Sequence, residues 1–236
     1  MNRALRVDPK VITESLAKGL ADRLARECDQ NKDDLLNILA SAKGIKNLQK
    51  KCMKFIGDGK AVSGIYLGEK SHMAMQAFFD PMTQKFGGGY VTKLNGKYSF
   101  YASDLRFSKH SIERLIERIK PEYPHVCLAR AVNAQIGCRF RNEQQSCINL
   151  DQVYHNPHEG VDVALPYVQG GKLLGMWFAA SIGDSSASTA KSLTAKTFVD
   201  SSLLRTEQYR ACMEVYEHQV NSQEKGLTHS HIPLWK

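Results

Sequence analysis

Long hydrophobic runs are the main thing this chain lacks. The longest, Leu173 to Ile182, is broken by Gly175 and Ser181 and falls far short of the roughly 20 apolar residues that a membrane-spanning helix needs. The stretch Met1 to Leu16 carries basic residues but no apolar segment of the kind a signal peptide has. C-x-x-C pairs are missing too. The six cysteines, Cys28, Cys52, Cys127, Cys138, Cys147 and Cys212, are scattered, and they read as reduced thiols buried as small apolar residues. These absences lead us to expect a cytoplasmic protein without a membrane partner.

Catalytic signatures are equally sparse. Ser181, Ser185, Ser186 and Ser188 stand in no G-x-S-x-G elbow, which argues against a serine hydrolase. Gly87-Gly88-Gly89 is followed by no Lys-Ser/Thr pair, so it reads as a flexible loop or bend and not as a P-loop. His155-x-x-His158 lies near Cys147 and Glu159, but Asn156-Pro157 between the histidines reads as a turn, and no metal or other cofactor is expected. There is no internal repeat and no low-complexity segment.

What is present is an ordinary globular composition, with 42% hydrophobic and 24% charged residues over 236 positions, enough chain for a core. The net charge of +8 is unevenly spread. Residues 1–60 hold 13 basic against 8 acidic residues, and residues 84–141 hold 11 against 4. Residues 142–236 hold 7 against 10, so the basic excess is local. A concentrated basic patch attracts polyanions, nucleic acid above all.

Hydrophobic periodicity divides the chain. Residues 10–56 read as helical, opened by Asp8-Pro9 and interrupted at Gln30 to Asp33, with a third short helix from Ile45 to Phe55. The period then shortens. Val62 to Leu67 and Met73 to Phe79 read as strands, and Asn95-Gly96 between Tyr90–Leu94 and Lys97–Tyr101 is a strong hairpin signal. Helices are expected at 109–120 and 124–137. Strands are expected at 145–150, 161–168, 172–180 and 192–199, with a turn at Gln169 to Lys172, a loop from Ser181 to Ala190, and a closing helix over 201–222. The expected architecture is α+β: a helical N-terminal segment (1–58), then a domain (61–222) with a small twisted, mainly antiparallel sheet and helices packed on one face. A loosely ordered tail (223–236) follows, in which Ile232-Pro233-Leu234-Trp235 has the character to dock.

One segment carries chemistry. In Arg106 to Ile119, Ser108 suits an N-cap. At about 100° per residue with Ile112 at zero, Leu115, Ile116 and Ile119 fall near 300°, 40° and 340°. His110, Arg114 and Arg118 fall near about 160°, 200° and 240°, one stripe opposite the core face. Histidine titrates near neutral pH and moves protons. Two arginines one and two turns on can fork onto phosphate oxygens and stabilise charge at phosphorus. Attack by a 2′-hydroxyl within RNA needs those two services. Glu113 and Glu117 flank the stripe as pairing partners or as the second proton-transfer group. Arg106, Lys109, Lys172 and Lys196 are candidate nucleic-acid contacts, and Tyr154, Tyr167, Thr194 and Thr197 are candidates on the sheet.

The run Phe107-Ser-x-His110-x-x-x-Arg114-x-x-x-Arg118 resembles the S-x-H-A-x-x-R-x-x-x-R helix of small bacterial and mobile-element proteins similar to the RelE/barnase-like RNase and toxin group. The resemblance extends over roughly residues 100–210. It takes in strands at Val161–Val168 and Leu173–Ala180 and a Thr197-Phe198-Val199 strand leading to a helix with Gln208. Ser111 replaces the usual alanine, and the first hundred residues have no counterpart. The resemblance implies a twisted antiparallel sheet, and cleavage or binding of RNA. The competing expectations are three: a metal-independent endoribonuclease or toxin, a non-catalytic nucleic-acid-binding protein of a mobile element, and a module that binds a protein partner through its N-terminal helices.

Overall fold

A computed structural model describes residues 6–29, 37, 40–41, 46–47, 50–51, 62–67, 72–94, 97–141, 148–149, 163–169, 171–182, 192–223 and 230–233. Asp8 caps a 3-10 turn at Pro9–Val11, and α1 follows at Glu14–Asp29. Four strands come next: β1 (Val62–Leu67), β2 (His72–Asp80), β3 (Lys85–Leu94) and β4 (Lys97–Ser108). Then come α2 (Lys109–Ile119), α3 (Pro124–Arg141), β5 (Ile148–Asn149), β6 (Val163–Gln169), β7 (Lys172–Ile182) and β8 (Ser192–Asp200). A 3-10 turn at Ser201–Leu203 leads to α4 (Thr206–Gln223), and β9 is Ser230–Pro233.

The strands form one sheet in the order β5-β6-β7-β8-β4-β3-β2-β1-β9. Among the described residues β4 and β8 make the one parallel pairing, Arg106 opposite Thr194, and every other neighbour is antiparallel. The α+β class and the mainly antiparallel sheet match the sequence expectation. The sheet is wider than the small one expected, because β1 to β3 and the docked tail strand, Ile232 opposite Ile65, extend it beyond β4.

Successive strand residues point to opposite faces, and this splits the core in two. Phe79, Phe86, Leu105, Phe107, Leu165, Tyr167, Trp177 and Phe198 share one cluster with buried residues of α1, α2 and α3. Ala164, Leu173 and Met176 point the other way and meet Cys212 of α4. Three helices thus occupy the expected face and α4 covers the opposite one. In α1, Ala17, Leu20, Ala21 and Leu24 are buried in the main cluster, so the helix is part of the core.

Gly87-Gly88-Gly89 is not a loop: the three residues lie inside β3, opposite Phe78, Ala77 and Gln76. The reason is close approach. A Cβ on Gly87 would stand 2.9 Å from Phe78 Cζ and 3.2 Å from Arg106 Cδ, so the space a side chain would take is already filled. A bulge against β4 falls between Gly87 and Gly89. Ser181 and Ile182, expected to open a loop, instead extend β7. The remainder of that loop, the Gln30–Asp33 break, the Asn95-Gly96 turn, Tyr154 and the His155/His158 pair lie outside the described residues. Residues 46, 47, 50 and 51 are helical, and Lys51 Nζ donates to Ser41 Oγ at 2.7 Å. Cys28, Cys127 and Cys212 are buried, and burial pushes the Cys127 and Cys212 thiols up to about 12, which makes those two poor nucleophiles. No helix among the described residues is long and apolar enough to cross a membrane.

His125 is 3% exposed in the first turn of α3. Burial lowers its pKa from the ordinary 6.5, Glu27 pulls it back up, and Arg23 lowers it further. The positive end of the α3 dipole also disfavours imidazolium. The folded state resists protonation where the unfolded chain accepts it, so the stabilisation is complete above pH 6.5 and is lost as pH falls from 6.5 towards the folded pKa. The urea midpoint of the wild type should therefore decline as pH falls below 6.5, and His125→Gln should flatten that decline. An equally steep decline in the variant would remove His125 as its cause.

Candidate functional site: the outward face of helix α2

The helix is held at both ends. Ser108 Oγ accepts from the Ser111 N–H at 3.0 Å and donates to the Lys196 carbonyl at 3.0 Å, which ties the N-terminus of α2 to β8. Ser111 Oγ donates to the Ser108 carbonyl at 2.8 Å. At the other end Lys120 turns left-handed (φ 47°) and its N–H reaches the Ile116 carbonyl. Ser111, Ile112, Leu115 and Ile116 are buried. The core face is the one the periodicity predicts, and His110, Arg114 and Arg118 lie on the outward stripe, with side chains 54%, 28% and 27% exposed.

Each side chain of the stripe faces a carboxylate. His110 Nδ1 stands 3.6 Å from Glu113 Oε2. Arg114 Nη1 donates to Glu117 Oε2 at 2.6 Å while its Nη2 lies 3.4 Å from Glu14 Oε1. The Glu117 hydrogen bond, with Glu117 and Glu14 adding attraction, raises the Arg114 pKa further above its ordinary value. Arg118 Nη1 donates to Asp200 Oδ2 at 3.1 Å. Burial works against the Asp200 carboxylate, but hydrogen bonds from Ser202 and Arg118 outweigh it and hold its pKa below the usual range. Lys109 pairs with Asp22. Glu14 and Asp22 come from α1 and Asp200 from the end of β8, so two distant elements meet α2 through charge.

The other candidates are placed as follows. The Lys196 side chain is exposed and its carbonyl touches the α2 cap, so it adjoins the stripe. Lys172 is exposed at the β6–β7 turn, three residues before the register partner of Asp200, which is Gly175. Arg106 does not join the stripe. Its neighbours Leu105 and Phe107 face α2, so Arg106 points to the other side of the sheet. There its guanidinium lies 5.5 Å from the centre of the Phe78 ring, and its Nη1 donates to the Ser103 and Leu105 carbonyls. Burial lowers its pKa, partly offset by Asp80 and Asp104. It clamps the bulged edge of β4. Tyr167 and Thr194 are buried at 1% exposure, and Lys85 Nζ donates to Thr194 Oγ1 at 3.3 Å. Gln208, also buried, caps α4 by accepting from the Arg205 N–H at 2.8 Å.

Spacing along the chain does not reveal Glu14, Asp22 or Asp200 as partners of the stripe. Asp200 has a local signal, a carboxylate just before Ser201-Ser202 where a turn cap belongs. The two acids of α1 have none, since pairing between remote segments leaves no pattern in the chain. Comparison with protein-family models, with characterised proteins and with solved structures returns no match.

Proposed function

We propose that the protein binds RNA or another nucleic acid in the cytoplasm through the outward face of α2, with Arg114 and Arg118 on backbone phosphates and His110, Lys109 and Lys196 at the capped end. The observation that carries this reading is the alignment of three partly exposed cationic or titratable side chains along one rigidly anchored helix. Binding is favoured over cleavage because every side chain of the stripe already faces a carboxylate. Catalysis at phosphorus needs donors preorganised for the charge that builds there, whereas a binder exchanges one anion for another. A second reading, a metal-independent endoribonuclease, is favoured by the His110–Glu113 pair, which has the composition of an acid–base couple one turn from Arg114. Incubation of single-stranded RNA with the protein in EDTA separates the two. The binding reading expects retarded RNA recovered at full length. Cleavage that disappears in His110→Ala would replace it with the nuclease, and RNA that is neither retained nor cut would reject both.

A further inference from the structure

Helix α1 brings two carboxylates onto α2 that its own packing does not require. It is anchored by Ala17, Leu20, Ala21 and Leu24, all buried in the main core, and the small residues among them let the two helices approach closely. Glu14 and Asp22 project from this anchored helix onto Arg114 and Lys109. The Glu14 side chain is 75% exposed, and exposed ion pairs contribute little to stability. Their effect is on charge. Asp22 is the one carboxylate on Lys109 among the described residues, and Glu14 takes the edge of Arg114 that Glu117 leaves open. A carboxylate on Lys or Arg makes the same charge-assisted hydrogen bonds as a phosphate oxygen.

We propose that α1 is a built-in acidic screen: Asp22 and Glu14 occupy Lys109 and Arg114 of α2 in place of backbone phosphates, and the protein takes up a polyanion by exchanging them. The proposal rests on the nucleic-acid reading for the identity of the ligand and on the ion pairs alone for the screen. It accounts for a basic block of +7 in residues 84–141 whose α2 cations are neutralised in the folded chain. The screen is weakest where phosphate density is high, so it raises the threshold for capture without closing the site.

The full chain carrying Asp22→Asn and Glu14→Gln tests this, with inorganic polyphosphate and a single-stranded RNA oligonucleotide as probes at low salt. A second double variant, Glu207→Gln and Glu214→Gln on the exposed side of α4, makes the same change in net charge elsewhere. Thermal melts check that both are folded. The screen predicts polyphosphate binding about tenfold tighter in the α1 variant, with a salt dependence steeper by roughly one to two released ions, and a clearly smaller gain in the α4 variant. Equal gains in both variants, or none in the α1 variant, would overturn it. Tighter polyphosphate binding with no RNA binding by any form would keep the screen and reject the nucleic-acid reading. RNA binding by the wild type that is unchanged in the α1 variant would do the reverse.

Discussion

Phe107→Ala is expected to destabilise the fold by about 3–5 kcal/mol and to lower the melting temperature by on the order of 10 °C. Phe107 lies on β4 one residue before the α2 cap, is 0% exposed, and meets the Trp177 ring edge-on at a centroid distance of 4.9 Å. Trp177 in turn packs on Phe198 at 4.8 Å. The ring thus joins the β4 half of the sheet to the β7–β8 half beneath α2. Its removal leaves a cavity that strands on both sides hold open, so collapse cannot recover the stabilisation. Calorimetry or urea denaturation reads the effect, and a change below about 1 kcal/mol, the level of an ordinary substitution, would mean that Phe107 is not the junction described.

The second large effect is a change of sign between two identical substitutions. Gly175→Ala should destabilise by about 3 kcal/mol or more, at the upper end of overpacking. A Cβ there would run into the Val199 carbonyl oxygen and the Phe198 ring, and the backbone oxygen has no rotamer through which to yield. Gly19→Ala in α1 meets nothing within 4 Å and should stabilise by about 0.5–1 kcal/mol through helix propensity. Paired denaturation curves decide this. Two shifts of the same sign would contradict the packing at Gly175.

How much of this was legible in the sequence depends on the range of the interaction. The core and outward faces of α2 follow from spacing alone, because Ile112, Leu115 and Ile116 need only their own helix to be aligned. The Ser108 cap and the β3–β4 hairpin are likewise local. The position of Arg106 was missed: the hairpin strand was expected only over Lys97–Tyr101, and it is the run of β4 to Ser108 that sets Arg106 between Leu105 and Phe107 and so on the face away from α2. Gly87 to Gly89 were missed too, since the ring and guanidinium that crowd Gly87 come from β2 and β4. The charge state of the stripe was the least legible of all. A helix wheel shows Glu113 and Glu117, but Glu14, Asp22 and Asp200 reach α2 only after α1 has docked and β8 has run past the end of β4. These partners turn a bare basic stripe into a charge-matched face.

The salt dependence of RNA binding tests that face most directly. Plotted as log affinity against log salt for a single-stranded oligonucleotide, the wild type and the Arg114→Gln/Arg118→Gln variant should differ in slope by about 1.4, roughly 0.7 for each phosphate that the variant no longer neutralises. The variant should bind more weakly at every salt concentration below the crossing point. Parallel lines of equal affinity would contradict the assignment of α2 as the nucleic-acid interface.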